Sequence, residues 1–425
     1  MAVLTRRDLV KSGLAVVSVG AFMPTIFTRA LAAARLDQGP SSSGSAPSKT
    51  LIIVQLAGGN DGLNTVIPYA DPLYHQLRPN LGIPADQVVQ LDAHLGLHPS
   101  LKALKPLWEA GTLAIVENVG YDHPSLSHFQ AMDIWQTADP TIGRRDGWLS
   151  TLVGGSVDAN GHPFNAVSVG PSLAPALCCP AIPPPALSSI ADYQLQPDPR
   201  FKTAQVTREA ALNRLYSSYT APAPYAALLD ATSQTAERSS KDLQDAAAQH
   251  QTSATYPKGG FGDGLKLLAA LIARDLGLRV GYVVLGGFDT HSTQAKHHGD
   301  LLQTLADGIS AFQADLTASG KADDVLLMTW SEFGRRAAEN ASAGTDHGTA
   351  APLFVAGKGV KKGVYGAPPN LSNLDSGNLR FGTDFRSIYA TVLEGWLQAE
   401  SSTILGQKFS TVGFIYSRVR NGWAG

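Results

Sequence analysis

Six short apolar runs, each without polar alternation, restrict the fold of this sequence more than any other feature. Such runs are typical of strands buried on both faces, because a strand with one solvated face alternates apolar and polar residues. The runs lie at 50–57, 113–120, 165–170, 279–285, 325–330 and 352–357. Segments with helical periodicity lie between and after them, at 203–217, 224–250, 261–276, 296–318 and 384–397. This alternation predicts an α/β fold, with a mostly parallel sheet and helices on both of its faces.

One span, residues 171–260, differs in composition from the rest of the chain. It begins with the proline-rich stretch PSLAPALCCPAIPPPALSSI and continues as an Ala-, Gln- and Ser-rich segment. We interpret it as a helical and proline-rich insertion within a single α/β domain at 50–425. The chain has two cysteines, Cys178 and Cys179, and because they are adjacent they exclude a disulfide framework.

The N-terminus has the pattern of an export signal. Arg6 and Arg7 precede a modest apolar stretch, and Ala-Leu-Ala at 30–32 forms a cleavage site. Paired arginines in this position are typical of a twin-arginine signal, so we expect the twin-arginine machinery to export the protein to the periplasm or beyond. The apolar stretch is shorter than the ~20 residues that a membrane span requires. We therefore predict a cleaved signal at 1–32 and a linker at 33–49; a retained anchor is the alternative.

Polar side chains suited to metal binding or catalysis collect beside five of the apolar runs. In an open parallel sheet, ligands bind beyond the carboxyl ends of the strands. Glycines in several of these segments allow a sharp turn and a close approach to a ligand. The segments are GGNDGLN (58–64), YDHPSLSHFQAMDIW (121–135), GGFDTH (286–291), SEFGRR (331–336) and GTDHGTA (344–350).

The acidic and imidazole side chains of these segments predict a metal centre. Mixed Asp/Glu and His sets without cysteine suit Zn²⁺, Mn²⁺ or Mg²⁺. Two divalent ions bind the attacking and leaving oxygens in phosphoryl or sulfuryl transfer, so we predict two ions. Asp289 and His291 form the strongest pair, since they lie two residues apart at a strand end. The predicted ligands are Asp61, Asp289, His291, Glu332, Asp346 and His347.

Three further residues are candidates for catalysis. Ser127 begins a helical pattern, and a helix N-terminus favours an anionic group, so this serine is a candidate nucleophile; it is equally suited to capping the helix. Arg335 is expected to pair with phosphate or sulfate oxygens. His128 is expected to orient the serine or a metal ion, and His123 is an alternative for that role.

Several of these residues also have a purely structural interpretation. Asp61 suits a turn, and Glu332 suits an ion pair with Arg335 or Arg336. We expect surface or supporting positions for His297 and His298, and a helix cap with an ion pair for Asp384 and Arg386.

At these residues the chain resembles the exported family called domain of unknown function 1501. The resemblance extends nearly from end to end. It covers the twin-arginine signal and the segments GGNDGLNTVIPYADPLYHQLRP, SHFQAMDIW, GFDTHSTQ, SEFGRR, GTDHGTA and GTDFRSIYATVLEGWL. That family is similar in turn to the alkaline phosphatase and sulfatase superfamily, which implies an alkaline phosphatase-like fold.

The superfamily resemblance implies roles for several of the same positions. The matching residues are Asp61, Ser127, Asp289, His291, Glu332 and His347. The superfamily has an Asp-His pair after one strand where this chain has Glu332 and Phe333, so one metal site is weakened, rebuilt with Asp346, or absent. The sequence TDHG is an alternative Asp-His pair, which would leave the final histidine unassigned.

These observations predict an exported metal-dependent hydrolase of phosphate or sulfate esters, acting on a small-molecule ester. One ion is assigned to Asp289, His291 and His347, and the other to Asp61, Ser127 and Glu332. The alternative is an exported binding or assembly protein on a catalytically decayed scaffold, which Phe333 favours. A redox enzyme is a weaker third interpretation, because no cofactor motif is present. The formal charge of −2 gives no support for nucleic-acid binding.

Overall fold

The computed structural model describes most of the chain after the predicted linker. The described residues are 49–144, 146–153, 164–170, 172–178, 184–187 and 240–416, with the backbone of 418–419 and 422–423. The predicted signal at 1–32, nearly all of the linker, the helix at 203–217 and most of the insertion lie outside them. In the part that is described, no helix is both long and apolar enough to cross a bilayer.

All six predicted strands are present, and each observed end lies within one residue of the predicted one. The strands are β1 Thr50–Ala57, β2 Val66–Ile67, β3 Val89–Gln90, β4 Gly96–Leu97, β5 Leu113–Gly120, β6 Ala166–Val169, β7 Ala186–Leu187, β8 Val280–Gly286, β9 Val325–Trp330, β10 Ala351–Ala356, β11 Gly363–Tyr365, β12 Thr383–Asp384, β13 Arg418–Val419 and β14 Gly422–Trp423.

The helices include those predicted after residue 240, and several shorter ones. They are α1 Pro72–Leu77, α2 Lys105–Glu109, α3 His128–Thr137, α4 Ser150–Val153, α5 at 240–249, α6 Gly260–Ala273, α7 Gln294–Ala318, α8 Phe385–Gly395 and α9 Ser401–Leu405. Asp384 caps α8, where its side chain accepts from the Arg386 amide, and it also pairs with the Arg386 guanidinium at 2.7 Å. Both roles agree with the structural interpretation of this pair.

A nine-stranded sheet forms the centre of the fold. Its order is β11-β5-β10-β9-β1-β8-β6-β7, and β12 pairs with the end of β5. β1 is parallel to β8 and β9, and β6 is parallel to β7 and β8. β10 is antiparallel to both of its neighbours, β5 and β9. The predicted α/β class with a mostly parallel sheet is therefore confirmed, with one reversed strand near the middle.

Helices cover both faces of this sheet, as predicted. Ile52 and Val54 of β1 belong to a hydrophobic cluster with α6 and α7. Leu51 and Ile53 point to the other face, where they share a cluster with α3 and α8. Because successive side chains alternate across a strand, a run that is apolar at every position must be buried on both sides.

Candidate metal centre

The carboxyl edge of the sheet gathers all five polar segments. Residues that follow β1, β8 and β9 lie at this edge because those strands are parallel. Residues 344–350 precede β10, and they reach the same edge because β10 runs in the opposite direction. The fifth segment, 121–135, follows β5, which runs in the same direction as β9 because β10 is antiparallel to both. Helix α3 begins within this segment at His128.

Two glycines after β1 allow the segments that follow β1, β8 and β9 to approach one another closely. Gly58 has φ +121°, and a Cβ there would lie 2.4 Å from the Asp289 amide nitrogen. Gly59 has φ +80°, and its Cβ would lie 2.4 Å from the ring of Phe333. A side chain at either position would push apart the segments that carry the polar groups, so the Gly-Gly pair is required by the site as well as by the turn.

Asp289, His291 and His347 form the centre of the site. Asp289 Oδ1 lies 3.0 Å from His291 Nε2 and 3.3 Å from His347 Nε2. The two Nε2 atoms lie 2.9 Å apart. Ligand atoms of a tetrahedral zinc site, each about 2.0–2.2 Å from the ion, lie roughly 3.3–3.6 Å from one another. The three atoms therefore have close to the spacing of one face of a metal coordination shell.

His128 completes this group from the start of α3. Its Nε2 lies 3.5 Å from Asp289 Oδ2, and ligand atoms of His128, Asp289 and His347 all lie within 4.8 Å of one another. His128, Asp289 and His347 thus form a group that could hold a metal ion, and His291 adjoins it through Asp289 Oδ1 and His347 Nε2.

An acceptor lies behind the Nδ1 atom of each of these two histidines. His347 Nδ1 lies 2.8 Å from the Leu126 carbonyl oxygen, which only accepts, so Nδ1 donates. His291 Nδ1 lies 3.3 Å from Asp346 Oδ1, and its Nε2 lies 3.0 Å from Asp289 Oδ1. In the tautomer with the proton on Nδ1, Nε2 carries a lone pair that faces Asp289.

His128 follows the same pattern. Its Nδ1 lies 2.9 Å from Glu332 Oε1, and this carboxylate also accepts from the Gly58 amide at 2.8 Å. With the proton of each ring on Nδ1, three imidazole lone pairs and a carboxylate face one another, and a divalent cation between them would satisfy all four groups. Histidine ligands whose second nitrogen donates to a carboxylate or carbonyl are the usual pattern at metal sites.

Arg335 holds Asp289 in place from below. Its Nη2 lies 2.8 Å from Asp289 Oδ1, and the guanidinium is buried while the carboxylate is about half exposed. Burial raises the pKa of Asp289, but the hydrogen bond and the charge of Arg335 outweigh burial, and the pKa lies below its ordinary value of 3.8. Asp289 is therefore ionised and available as a ligand at neutral pH.

The same guanidinium is otherwise occupied by the protein. It donates to the carbonyl oxygens of Gly59 at 2.7 Å, Thr345 at 2.8 Å and Phe288 at 3.0 Å, and also to that of Gly58. We expected Arg335 to pair with the oxygens of a substrate. In the structure it instead joins the ends of three chain segments beneath the site.

Phe333 occupies the position where the superfamily resemblance implied a histidine ligand. Its ring is buried, with its centroid 4.9 Å from that of His128 and 4.6 Å from that of His347. The phenylalanine thus packs against two imidazoles and limits their rotation. It serves the site as a support, so its presence does not by itself indicate decay.

Ser127 occupies the N-cap position of α3, but its side chain makes no capping hydrogen bond. The residue is exposed. Its neighbours on both sides contact the site, since the Leu126 carbonyl binds His347 and His128 faces Asp289. Ser127 therefore lies in the sequence between two residues that contact the cluster, and its hydroxyl is not used for the cap.

The described contacts of Asp61 are with residues outside the histidine cluster. It is fully buried and pairs with Arg78 at 2.6 Å, and it accepts from Gln294 at 2.5 Å. Burial raises the pKa of Asp61, but the charge and hydrogen bond of Arg78 lower it below the ordinary value of 3.8. The sequence assigned Asp61 and Glu332 to the second metal ion. In the structure Asp61 contacts Arg78 and Glu332 contacts His128, and the described contacts do not bring the two carboxylates together.

The three other histidines that the sequence analysis considered lie outside the cluster. His123 is exposed and faces Asp122 at 3.6 Å. His297 is exposed and contacts the Gly287 carbonyl at 3.0 Å. His298 is buried, lies 2.9 Å from Asn60 Oδ1, and has its pKa lowered to about 3 by burial, so it is neutral.

Two supporting groups were not predicted from the sequence. The Leu126 carbonyl holds His347, and Asn340 donates to Asp346 Oδ1 at 3.0 Å and so fixes the carboxylate behind His291. A backbone carbonyl leaves no sequence signal. Asn340 lies in a loop whose residues give no periodic pattern, although its position six residues before Asp346 is a weak indication of a turn.

The family described as "Protein of unknown function (DUF1501)" matches residues 48–397 of the chain. No functionally curated protein matches the chain by sequence.

The solved structures to which this chain is similar include a sulfatase and a lipoteichoic acid synthase. The PsFucS1 sulfatase from Pseudoalteromonas sp. has 11% identity and a TM-score of 0.35, over 90% of this chain and 71% of that one. The lipoteichoic acid synthase LtaP from Listeria monocytogenes has 9% identity and a TM-score of 0.25, over 77% and 71%. The PH0037 protein from Pyrococcus horikoshii has 11% identity and a TM-score of 0.30, over 75% and 88%. These values are too low to transfer any property of those proteins to this chain.

Proposed function

This chain belongs to the DUF1501 family, and we propose that it is a metal-dependent hydrolase of phosphate or sulfate monoesters. The observation that carries the proposal is the convergence of three histidine Nε2 atoms on Asp289, with an acceptor behind every Nδ1. With the ring protons on Nδ1, a cation between these groups would bind their electron pairs.

The proposed ligands are Asp289, His291, His347 and His128. Three imidazole nitrogens and one carboxylate favour a Zn²⁺-like transition metal over Mg²⁺, which prefers oxygen ligands. We propose one ion at this cluster, and the role of Asp61 in a second site stays a prediction. When bound, a divalent ion polarises the ester and stabilises the negative charge that develops during hydrolysis.

Ser127 is the proposed nucleophile. Its hydroxyl is exposed at the N-terminus of α3, where the amide groups of the first turn favour an anionic phosphate or sulfate group. A bond would form between Ser127 Oγ and phosphorus or sulfur as the bond to the alcohol oxygen breaks, and the alcohol would leave with the proton that the serine gives up. Water would then cleave the new bond at Oγ, which restores the serine hydroxyl and releases phosphate or sulfate. His128, directly after the serine, couples the start of this helix to the cluster.

Metal analysis combined with an ester panel tests the proposal. The full chain, loaded separately with Zn²⁺ and Mn²⁺ and freed of excess ion, is expected to retain about one ion per chain. At least one phosphate or sulfate monoester should be hydrolysed by the loaded protein. Protein that retains neither ion and hydrolyses no ester would contradict the proposal.

Asp346→Ala is expected to weaken metal affinity about tenfold to a hundredfold, because the carboxylate behind His291 orients the ring and raises its basicity. The measurement is competition for Zn²⁺ with a chelator of known affinity. Asp122→Ala is the matched control, since Asp122 also faces a histidine, the exposed His123 at 3.6 Å, away from the centre. Equal affinities of the Asp346 variant and the control would argue against a supporting role.

We also propose that the twin-arginine machinery exports the chain, on the basis of Arg6, Arg7 and the cleavage site at 30–32. Changing both arginines to lysine should leave the protein in the cytoplasm of its host, as followed by cell fractionation. Export of that variant at the normal level would contradict the proposal.

A further inference from the structure

A cavity of about 500 Å³ lies between α3 and β8, two elements that lead to residues of the histidine cluster. One wall is a face of α3 that carries Phe129, Met132 and Gln136, and another is the end of β8 with Tyr282 and Val284. The volume is in the range of small-molecule sites, which are typically about 300–1,000 Å³.

The two elements that line the cavity also lead to residues of the metal centre. Helix α3 begins at His128, and Phe129 is the next residue. On the other side, β6 pairs with β8 only as far as Val169 opposite Val283, while β8 continues to Gly286 and leads to Asp289. The shorter neighbour leaves the cavity open at the carboxyl edge of the sheet. A molecule whose reacting group meets Asp289 would therefore have this cavity as the adjacent space.

The lining of the cavity is largely uncharged. Of the described residues around it, Asp133 is the one with a charged side chain. The buried polar groups are already paired with each other, because Tyr282 donates to Gln55 at 2.7 Å and Gln136 donates to Tyr282 at 2.8 Å. These groups therefore need no polar partner from a ligand. The single carboxylate, Asp133, would repel a ligand that carried a second anionic group here.

Two apolar side chains at the cavity are unusually exposed. Phe129 is 80% exposed and Val284 is 40% exposed. An aromatic ring this accessible beside a cavity offers a face for stacking and an apolar area that a ligand would bury.

We infer that this cavity binds the organic part of the ester, and that this part is an uncharged aromatic or comparably flat ring stacked on Phe129. The inference rests on the proposed hydrolase function, which places the phosphate or sulfate at the histidine cluster. Phe129 is then a residue that determines substrate specificity, and it takes no part in bond cleavage.

Binding of 2-naphthol to metal-stripped full-length protein tests the cavity without catalysis. The fluorescence of the naphthol should report saturable binding, and Phe129→Ala should weaken it about five- to tenfold, the effect of losing one stacked ring. Phe381→Ala is the matched control, because this phenylalanine is 36% exposed and does not line the cavity. Its affinity should equal that of the unchanged protein. Absence of saturable binding, or equal affinities of the Phe129 and Phe381 variants, would overturn the inference.

Hydrolysis of 2-naphthyl and methyl phosphates and sulfates separates this inference from the proposed function. The naphthyl ester should have the lower KM, and Phe129→Ala should raise that KM about five- to tenfold with little change in kcat. Naphthol binding without turnover of any ester would support the cavity and overturn the hydrolase. Turnover in which Phe129→Ala leaves KM unchanged would support the hydrolase and overturn the inference.

Discussion

Asp289→Asn is expected to lower metal affinity and ester turnover by at least about a hundredfold, more than the loss of a supporting carboxylate costs. Asp289 faces all three histidines of the cluster, and the neutral amide removes the negative charge that offsets a divalent cation. The measurements are metal content after loading, and the initial rate with the best ester of the panel.

The variant should remain folded, so loss of metal can be separated from loss of structure. Arg335 keeps its hydrogen bonds to the carbonyls of Gly59, Thr345 and Phe288 when the carboxylate is replaced. Asp323→Asn provides a matched control, because Asp323 is 66% exposed and pairs with Lys358 at 3.4 Å, remote from the carboxyl edge. A folded Asp289 variant that binds metal as well as this control would count decisively against the proposed centre.

Asp61→Ala is expected to reduce the free energy of unfolding by about 3–5 kcal/mol. Its partner Arg78 is fully buried with it, so the substitution leaves a buried guanidinium without its counter-charge. Arg78 retains the carbonyls of Ala337 and Arg336, which limits the loss. Urea unfolding of the full chain, followed by tryptophan fluorescence, measures the change.

The contribution of Asp61 to the free energy of unfolding should also decrease at low pH. The pKa of Asp61 is lower in the folded chain than its ordinary value of 3.8, so the carboxylate stabilises the fold above that pH. As the pH falls through the folded pKa, this stabilisation is lost. The difference in stability between the unchanged protein and Asp61→Ala should therefore narrow below about pH 4.

An exposed ion pair serves as the comparison for Asp61. Asp375 faces Arg380 at 3.9 Å with both side chains more than half exposed, so Asp375→Ala should cost less than about 1 kcal/mol. If Asp61→Ala costs no more than this control while the metal content falls, Asp61 is a ligand as the sequence first suggested, and the structural interpretation is wrong.

The strands were predictable because their sequences are apolar at every position, a pattern that burial on two faces imposes. The direction of β10 was not predictable, because an apolar run such as 352–357 is equally compatible with a parallel and an antiparallel neighbour. In the structure β10 is antiparallel to β9. This direction matters for the site. It is the reason that His347, which precedes its strand, lies beside Asp289, which follows one.

The residue types of the centre were predictable, but their division into ligands and supports was not. Glu332 and Asp346 were expected to bind metal, and the structure places both behind histidines as acceptors. Which carboxylate faces inward depends on side-chain packing, including the Phe333 ring against two imidazoles, and no spacing rule encodes that. Likewise, nothing near Arg78 in the sequence marks it as the partner of Asp61.

The reversed β10 has a consequence for when the chain gains its metal. The rings of His128 and His347 lie 4.6 Å apart, but β6 to β9 come between them in the sequence, so a nascent chain that has not yet reached residue 347 lacks part of the coordination shell. Metal binding would then occur late in biosynthesis, and bound metal would indicate that the sheet has folded. A cation that binds only the native state stabilises that state by mass action. The melting temperature of the protein should therefore rise with the concentration of the cation.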